Sequence, residues 1–78
     1  MADKHRVLIV DDESEVGEIL GVLLEDYFHC SVFDQASIAL TELEKQHFEY
    51  IITDIEMPDI NGIRFVEEAK KLSPDSVV

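Results

Sequence analysis

Positive charge is scarce in this 78-residue chain: six Lys and Arg stand against eighteen Asp and Glu, a formal charge of -12. That balance repels nucleic acid and anionic membrane and leaves no basic patch to overcome the repulsion. No direct nucleic-acid contact and no membrane contact are therefore expected of this segment. Cysteine is limited to Cys30, which excludes an internal disulfide. With no second Cys or His at a metal-ligand interval, Cys30 reads as a small core or strand residue. Long apolar runs are missing too. Lys4-His5-Arg6 precede an apolar stretch that lasts only from Val7 to Val10 before Asp11, far short of a signal peptide or a membrane span, so a cytoplasmic location is expected. Internal repeats, low-complexity stretches and interdomain linkers are also absent.

What is present is enough for one small domain. The apolar fraction is 46%, normal for a globular chain, although at this size folding hides only about 60–65% of the unfolded surface. Val7-Leu8-Ile9-Val10 is a short apolar run bounded by charge, as expected for a strand covered on both faces. From Ser14 the period becomes helical: Val16, Ile19, Leu20, Leu23, Leu24 and Tyr27 recur in a helix expected to end near Phe28. Gly17 and Gly21 lie inside it and suggest a close packing face. Cys30 to Asp34 reads as a second strand in an edge position. Ser37 is expected to cap a second helix with the stripe Ala36, Ala39, Leu40 and Leu43. Tyr50 to Thr53 gives a third strand, and Phe65, Val66, Ala69 and Leu72 the stripe of a third helix. Ser73-Pro74-Asp75 breaks that helix, and Val77-Val78 looks like the start of a fourth strand. Strands alternating with helices imply βαβ units and a parallel sheet with helices on its faces.

Two of the strands end on carboxylates. RVLIVDDES runs from Arg6 to Ser14 and YIITDIEMPDING from Tyr50 to Gly62. Equivalent ends of neighbouring parallel strands lie side by side, so Asp11, Asp12 and Asp54 can converge at the carboxyl edge, where open α/β sheets place their ligands. A like-charged pair at 4 Å costs roughly 1 kcal/mol in water and about 4 kcal/mol at an effective dielectric of 20. A hard divalent cation offsets that repulsion, and an all-oxygen, partly hydrated site suits Mg²⁺. One carboxylate could then accept a phosphoryl group as an acyl phosphate.

LIVDDE at Leu8 to Glu13, followed by a helix and IITDIEMPDING at Ile51 to Gly62, resembles the receiver domain of bacterial two-component response regulators. The resemblance covers the whole chain. It implies a flavodoxin-like (CheY-like) α/β fold, a three-layer parallel sheet with strand order 2-1-3, which this sequence carries as far as the start of strand four. It implies Asp54 as phosphoacceptor from a sensor histidine kinase, Asp12 and Asp54 as direct Mg²⁺ ligands, Asp11 as a ligand through water, and the Glu56 backbone carbonyl as a further ligand. Met57, Pro58 and Gly62 would shape the loop behind the acceptor. The family's Ser or Thr after strand four and its Lys after strand five fall beyond Val78, and Lys70 and Lys71 belong to a surface pattern and do not stand in for that Lys.

Three other readings are weighed against this one. Asp11, Asp12 and Asp54 could be ordinary turn residues, a reading weakened by their matched strand ends and the M-P-x-x-x-G segment. VLIVDDE also resembles the acidic strand of a P-loop ATPase, but the required Gly-rich Lys loop has no room before Val7. An aspartyl-phosphate phosphatase fragment would want a second Asp two residues after the first, where this chain has Glu13. A half-domain without switching activity, prone to self-association through an exposed sheet edge, remains as a further alternative. His5, His29 and His47 have no nucleophile or paired ligand nearby and read as surface or boundary residues.

Overall fold

The computed structural model describes residues 5–53 and 61–77. In chain order the elements are β1 (His5–Val10), α1 (Ser14–Leu24), β2 (Phe28–Phe33), α2 (Ala36–Lys45), β3 (Tyr50–Thr53) and α3 (Gly62–Leu72). The strands form one parallel sheet in the order β2-β1-β3. Val77 adds a parallel bridge to Tyr50 on the outer side of β3, through Ile51 N–H to Val77 O and Val77 N–H to Glu49 O, both 2.8 Å.

The central strand is apolar on both faces, and both faces are covered. Val7, Leu8, Ile9 and Val10 are each at most 2% exposed. Because successive strand residues point to opposite faces, Leu8 and Val10 join one layer and Val7 and Ile9 the other. The first layer is the main core. In it Leu8 and Val10 meet Ala36, Ala39 and Leu43 of α2, Phe48 and Ile51 around β3, and Phe65 and Ala69 of α3. α1 lies on the opposite face, against Ile9 and Val32. Helices on both faces of a parallel sheet in this order make the three-layer, flavodoxin-like α/β fold.

α1 meets the sheet differently from the expected stripe. Its inward positions are Gly17, Leu20, Gly21 and Leu24, spaced i, i+3, i+4, i+7, whereas Ile19, Val22 and Leu23 are 59%, 64% and 67% exposed. The glycines decide this. A Cβ on Gly17 would stand 2.6 Å from Val32 Cγ1, and one on Gly21 3.4 Å from Val32 Cγ2. The backbone of α1 thus approaches β2 at Gly17 more closely than a side chain there would allow, and the apolar residues beside the glycines turn outward. Tyr50, Ile52 and Val77 are also exposed. Their register with Val7 and Ile9 puts Tyr50 and Ile52 on the same side of the sheet as α1.

Three expected boundaries shift. α1 stops at Leu24, not near Phe28, and the turn Tyr27 N–H to Leu24 O (2.9 Å) follows it. β2 accordingly runs Phe28–Phe33, not Cys30 to Asp34, because parallel pairing begins at His5 opposite Phe28. α2 starts at Ala36 with Gln35 as its N-cap, so Ser37 sits inside the first turn. The fully buried Ala36 is drawn into the helix by packing, which outweighs the capping preference of serine. Leu72 is exposed, while Phe65 and Ala69 are buried as expected.

Gly17→Ala is expected to lose roughly 1–3 kcal/mol through overpacking, more than the ~1 kcal/mol that Ala gains over Gly in a helix interior. Gly21→Ala, with room for its methyl, is expected to be neutral or up to ~1 kcal/mol more stable. The urea midpoint of Gly17→Ala should therefore fall while that of Gly21→Ala stays or rises, and a raised midpoint for Gly17→Ala would show that Val32 yields instead. The exposed apolar face and open sheet edges carry a second expectation. In sedimentation equilibrium the 78-residue chain should gain apparent mass with concentration, and Leu23→Lys should reduce that gain. A concentration-independent monomer would contradict it.

Candidate functional site

The carboxyl ends of the three strands are held level by their pairing. Val10 lies opposite Phe33 on one side and Thr53 on the other. The ladder continues one residue further, since Asp11 N–H donates to Phe33 O at 3.0 Å. Burial then ends abruptly: Val10 is buried, Asp11 half-buried and Asp12 exposed. Asp11 Oδ1 accepts from Glu13 N–H at 2.9 Å, an Asx turn that swings the chain off the sheet. Glu13 O in turn accepts from Val16 N–H (3.0 Å) and Gly17 N–H (3.3 Å), which starts α1. Asp11 and Asp12 therefore stand beside the N-terminal end of a helix, whose dipole favours negative charge.

On the other side of the sheet, Asn61 Oδ1 accepts from Ile63 N–H at 2.8 Å and caps α3, whose first residue, Gly62, is buried. α1 leaves β1 on one face and α3 follows β3 on the opposite face, so the chain diverges between β1 and β3. At such a switch point a crevice opens outside the carboxyl ends of the strands. Of the residues expected at the site, Asp11, Asp12 and Gly62 are described. Asp54, Glu56, Met57 and Pro58 lie outside the described residues, as do Ile55, Asp59 and Ile60.

Among the described residues no group of three or more His, Cys, Asp and Glu is arranged to hold a metal, and the expected set includes Asp54. The donors in place, two carboxylates with hard oxygens, match the ligand chemistry of Mg²⁺. Neither helix-three lysine serves this edge. Lys70 Nζ donates to Ser76 O (2.5 Å) and Pro74 O (3.4 Å), and Lys71 pairs with Glu68 at 3.4 Å.

Sequence reasoning missed a second polar cluster at the opposite, amino edge. Arg6 N–H donates to Glu49 Oε2 at 2.6 Å, the Arg6 guanidinium reaches Gln46 Oε1, and Gln46 Nε2 donates to Glu42 Oε1 at 2.5 Å. The Arg6 N–H holds the Glu49 carboxyl below the usual range for Glu. Beside this cluster, His47 and Phe48 meet Ser73 and Ser76 through hydrogen bonds. The contacts that tie separate segments together, Arg6 to Glu49 and Gln46, His47 to Ser73 and Phe48 to Ser76, join residues 26 to 43 apart, so no local motif marks them. Cys30 behaves as a structural residue: burial first, and Glu25 second, push its thiol up, so it stays un-ionised at neutral pH.

Known proteins share both the sequence and this arrangement. The profile of the response regulator receiver domain matches residues 7–78. The response regulator receiver protein CpdR of Brucella abortus is 31% identical over 71 residues, which cover 90% of this chain and 59% of CpdR. A receiver domain protein (CheY-like) from Methanospirillum hungatei superposes with a TM-score of 0.91 at 29% identity, covering 95% of this chain and 60% of that one. The response regulator TrrA of Thermotoga maritima, solved in complex with Mg(2+)-BeF, gives a TM-score of 0.82 at 32% identity, covering 92% of this chain and 64% of that one. The chain thus spans about three fifths of the length of these relatives. No described helix is long and apolar enough to cross a membrane.

The role of Asp11 in the Asx turn is separable from its charge. Asp11→Asn and Asp11→Ala both remove the charge, and only Asn keeps the acceptor for Glu13 N–H. The Asn variant is expected to be more stable than the Ala variant by roughly 0.5–1.5 kcal/mol in urea denaturation, the usual net worth of one hydrogen bond. Equal midpoints would mean that the turn does not depend on this bond.

Proposed function

We propose, because this chain belongs to the response regulator receiver domain family of two-component signalling, that its carboxyl-edge carboxylates form a phosphoryl-accepting site controlled by a sensor histidine kinase. The observation that carries the reading is the parallel register of Val10 with Thr53. It aligns the strand end that leads into Asp11 and Asp12 with the strand end that leads into Asp54.

In this reading an Asp54 carboxylate oxygen attacks the phosphorus of a phosphohistidine. The new O–P bond forms as the P–N bond breaks, and the imidazole departs with a proton from solvent. The product is an aspartyl phosphate, which water later hydrolyses back to carboxylate and inorganic phosphate. Asp12, Asp54, the Glu56 carbonyl and, through water, Asp11 would hold Mg²⁺, in line with the Mg(2+)-BeF complex of TrrA. When bound, the ion supplies positive charge against the phosphoryl oxygens and the clustered carboxylates. Asp11 does two things in this scheme. Its Oδ1 holds the turn through Glu13 N–H, and its other oxygen would be the one to reach the ion through water. Met57, Pro58 and Gly62 would shape the loop behind the acceptor, and Asn61 caps the helix that follows. The chain acts as a phosphorylation-controlled signalling domain that regulates an output, and not as a turnover enzyme.

The test is the intact mass of the chain after incubation with acetyl phosphate, with and without Mg²⁺, beside Asp54→Asn. One added phosphoryl group that requires both Mg²⁺ and Asp54 is expected. Modification of Asp54→Asn at wild-type stoichiometry would overturn the assignment. Repeated turnover of a phosphate ester would favour the aspartyl-phosphate phosphatase reading instead.

A further inference from the structure

The serine pair at the amino edge fixes the direction of a hydrogen-bond chain, and the direction reaches a histidine. Phe48 O, a carbonyl, can only accept, so the Ser76 hydroxyl must donate to it. A serine hydroxyl has one proton. With that of Ser76 committed, the 2.6 Å contact between Ser73 Oγ and Ser76 Oγ must be donated by Ser73. The proton of Ser73 is then committed as well. At the 3.3 Å contact between Ser73 Oγ and His47 Nδ1, only the imidazole is left to donate.

We infer that His47 is held as the Nδ1–H tautomer at the head of a one-way chain, His47 Nδ1–H to Ser73 Oγ–H to Ser76 Oγ–H to Phe48 O. The free side chain in water prefers the opposite, Nε2–H form, so the preference is imposed by the fold. Ser73, Ser76 and Phe48 are buried, at 5%, 1% and 1% exposure, which leaves no water to supply an alternative donor or acceptor along the chain. His47 itself is exposed, and its Nε2 lone pair is the basic position of the ring.

This arrangement is a clasp between three segments: the lead-in to β3, the C-cap of α3, and the turn that sets Val77 beside Tyr50. The last of these is also held by Lys70 Nζ on Ser76 O. Because imidazolium keeps its Nδ1–H, the clasp has the same direction whether or not Nε2 carries a proton. The charged groups around the ring are Glu44 and Lys45, which line the same cleft of about 260 Å³, and Glu49, whose carboxyl senses the His47 charge. Tautomer control by a hydrogen bond at the other ring nitrogen is a general property of histidine. Here the controlling group is a serine whose own proton is already spent.

Long-range ¹H–¹⁵N correlation spectra of the ¹⁵N-labelled chain test this, recorded about 2.5 pH units above the ordinary imidazole pKa of ~6.5. His47 is expected to show a protonated Nδ1 and a pyridine-like Nε2, the reverse of the exposed His29 in the same spectrum. A His47 pattern matching that of His29 would overturn the inference. In Ser73→Ala the His47 pattern should revert to that of His29, while Ser73→Thr, which keeps a hydroxyl, should retain it. An unchanged Nδ1–H signature in a folded Ser73→Ala would also overturn it. The wild-type spectrum decides by itself if that variant does not fold.

Discussion

The burial of Val7 to Val10 on both faces is the constraint from which the rest of the structure follows. A strand that is apolar on both sides has no solvated face, so it must lie inside a sheet with a layer above and a layer below. Its backbone groups then need a partner strand on each side, which β2 and β3 provide in parallel. Parallel neighbours have their carboxyl ends at one edge. The burial that ends between Val10 and Asp12 therefore ends at the same edge as β3, and the acidic residues after β1 emerge where the sheet's connections part. The strand's hydrophobicity decides where its carboxylates go.

The two covering layers are built by different means. On one face large side chains do the filling: Phe48 and Phe65 are buried against Leu8, Val10 and Ile51. On the other, α1 comes so close that a Cβ at Gly17 would stand 2.6 Å from Val32 Cγ1. Close approach gains dispersion contacts over a short length of helix, but it covers little width. Ile19, Val22 and Leu23 are left outside it, and Tyr50, Ile52 and Val77 are left beyond it. A wide apolar stripe on a helix is thus no measure of how much of that stripe meets its own sheet.

This difference explains what could be read from the sequence and what could not. The strand run at Val7 to Val10, the α2 stripe at Ala36, Ala39 and Leu43, and the α3 residues Phe65 and Ala69 were legible because burial there follows periodicity. The inward face of α1 was legible only in part: Gly17 and Gly21 marked a close packing face, which lies against Val32, but a period in Ile19 and Leu23 says nothing about how near that glycine edge can come. The start of α2 was misread at Ser37 because a cap preference worth about 1 kcal/mol is smaller than the gain from burying Ala36. At the site, the spacing of Asp11 and Asp12 after a buried run was sufficient to place them at the carboxyl edge. The amino-edge contacts of Arg6 with Glu49 and of His47 with Ser73 join residues with no local pattern between them, and only the folded chain brings them together.

The two edges of the sheet also differ in how they handle charge. At the amino edge Arg6 and Lys70 are spent on protein acceptors, on Gln46 in one case and on the carbonyls of Ser76 and Pro74 in the other. At the carboxyl edge Asp11 and Asp12 have the N-terminal end of α1 and the Glu13 N–H, which are partial charges only. Arg64 lies in the first turn of α3. It sits, exposed, at the helix end where the dipole disfavours it. Paired carboxylates within several Å of one another cost roughly 1 to 4 kcal/mol by their mutual repulsion, depending on the local dielectric, and partial charges offset only part of that. Neighbouring carboxylates with only partial charges beside them among the described residues gain from positive charge brought from solution.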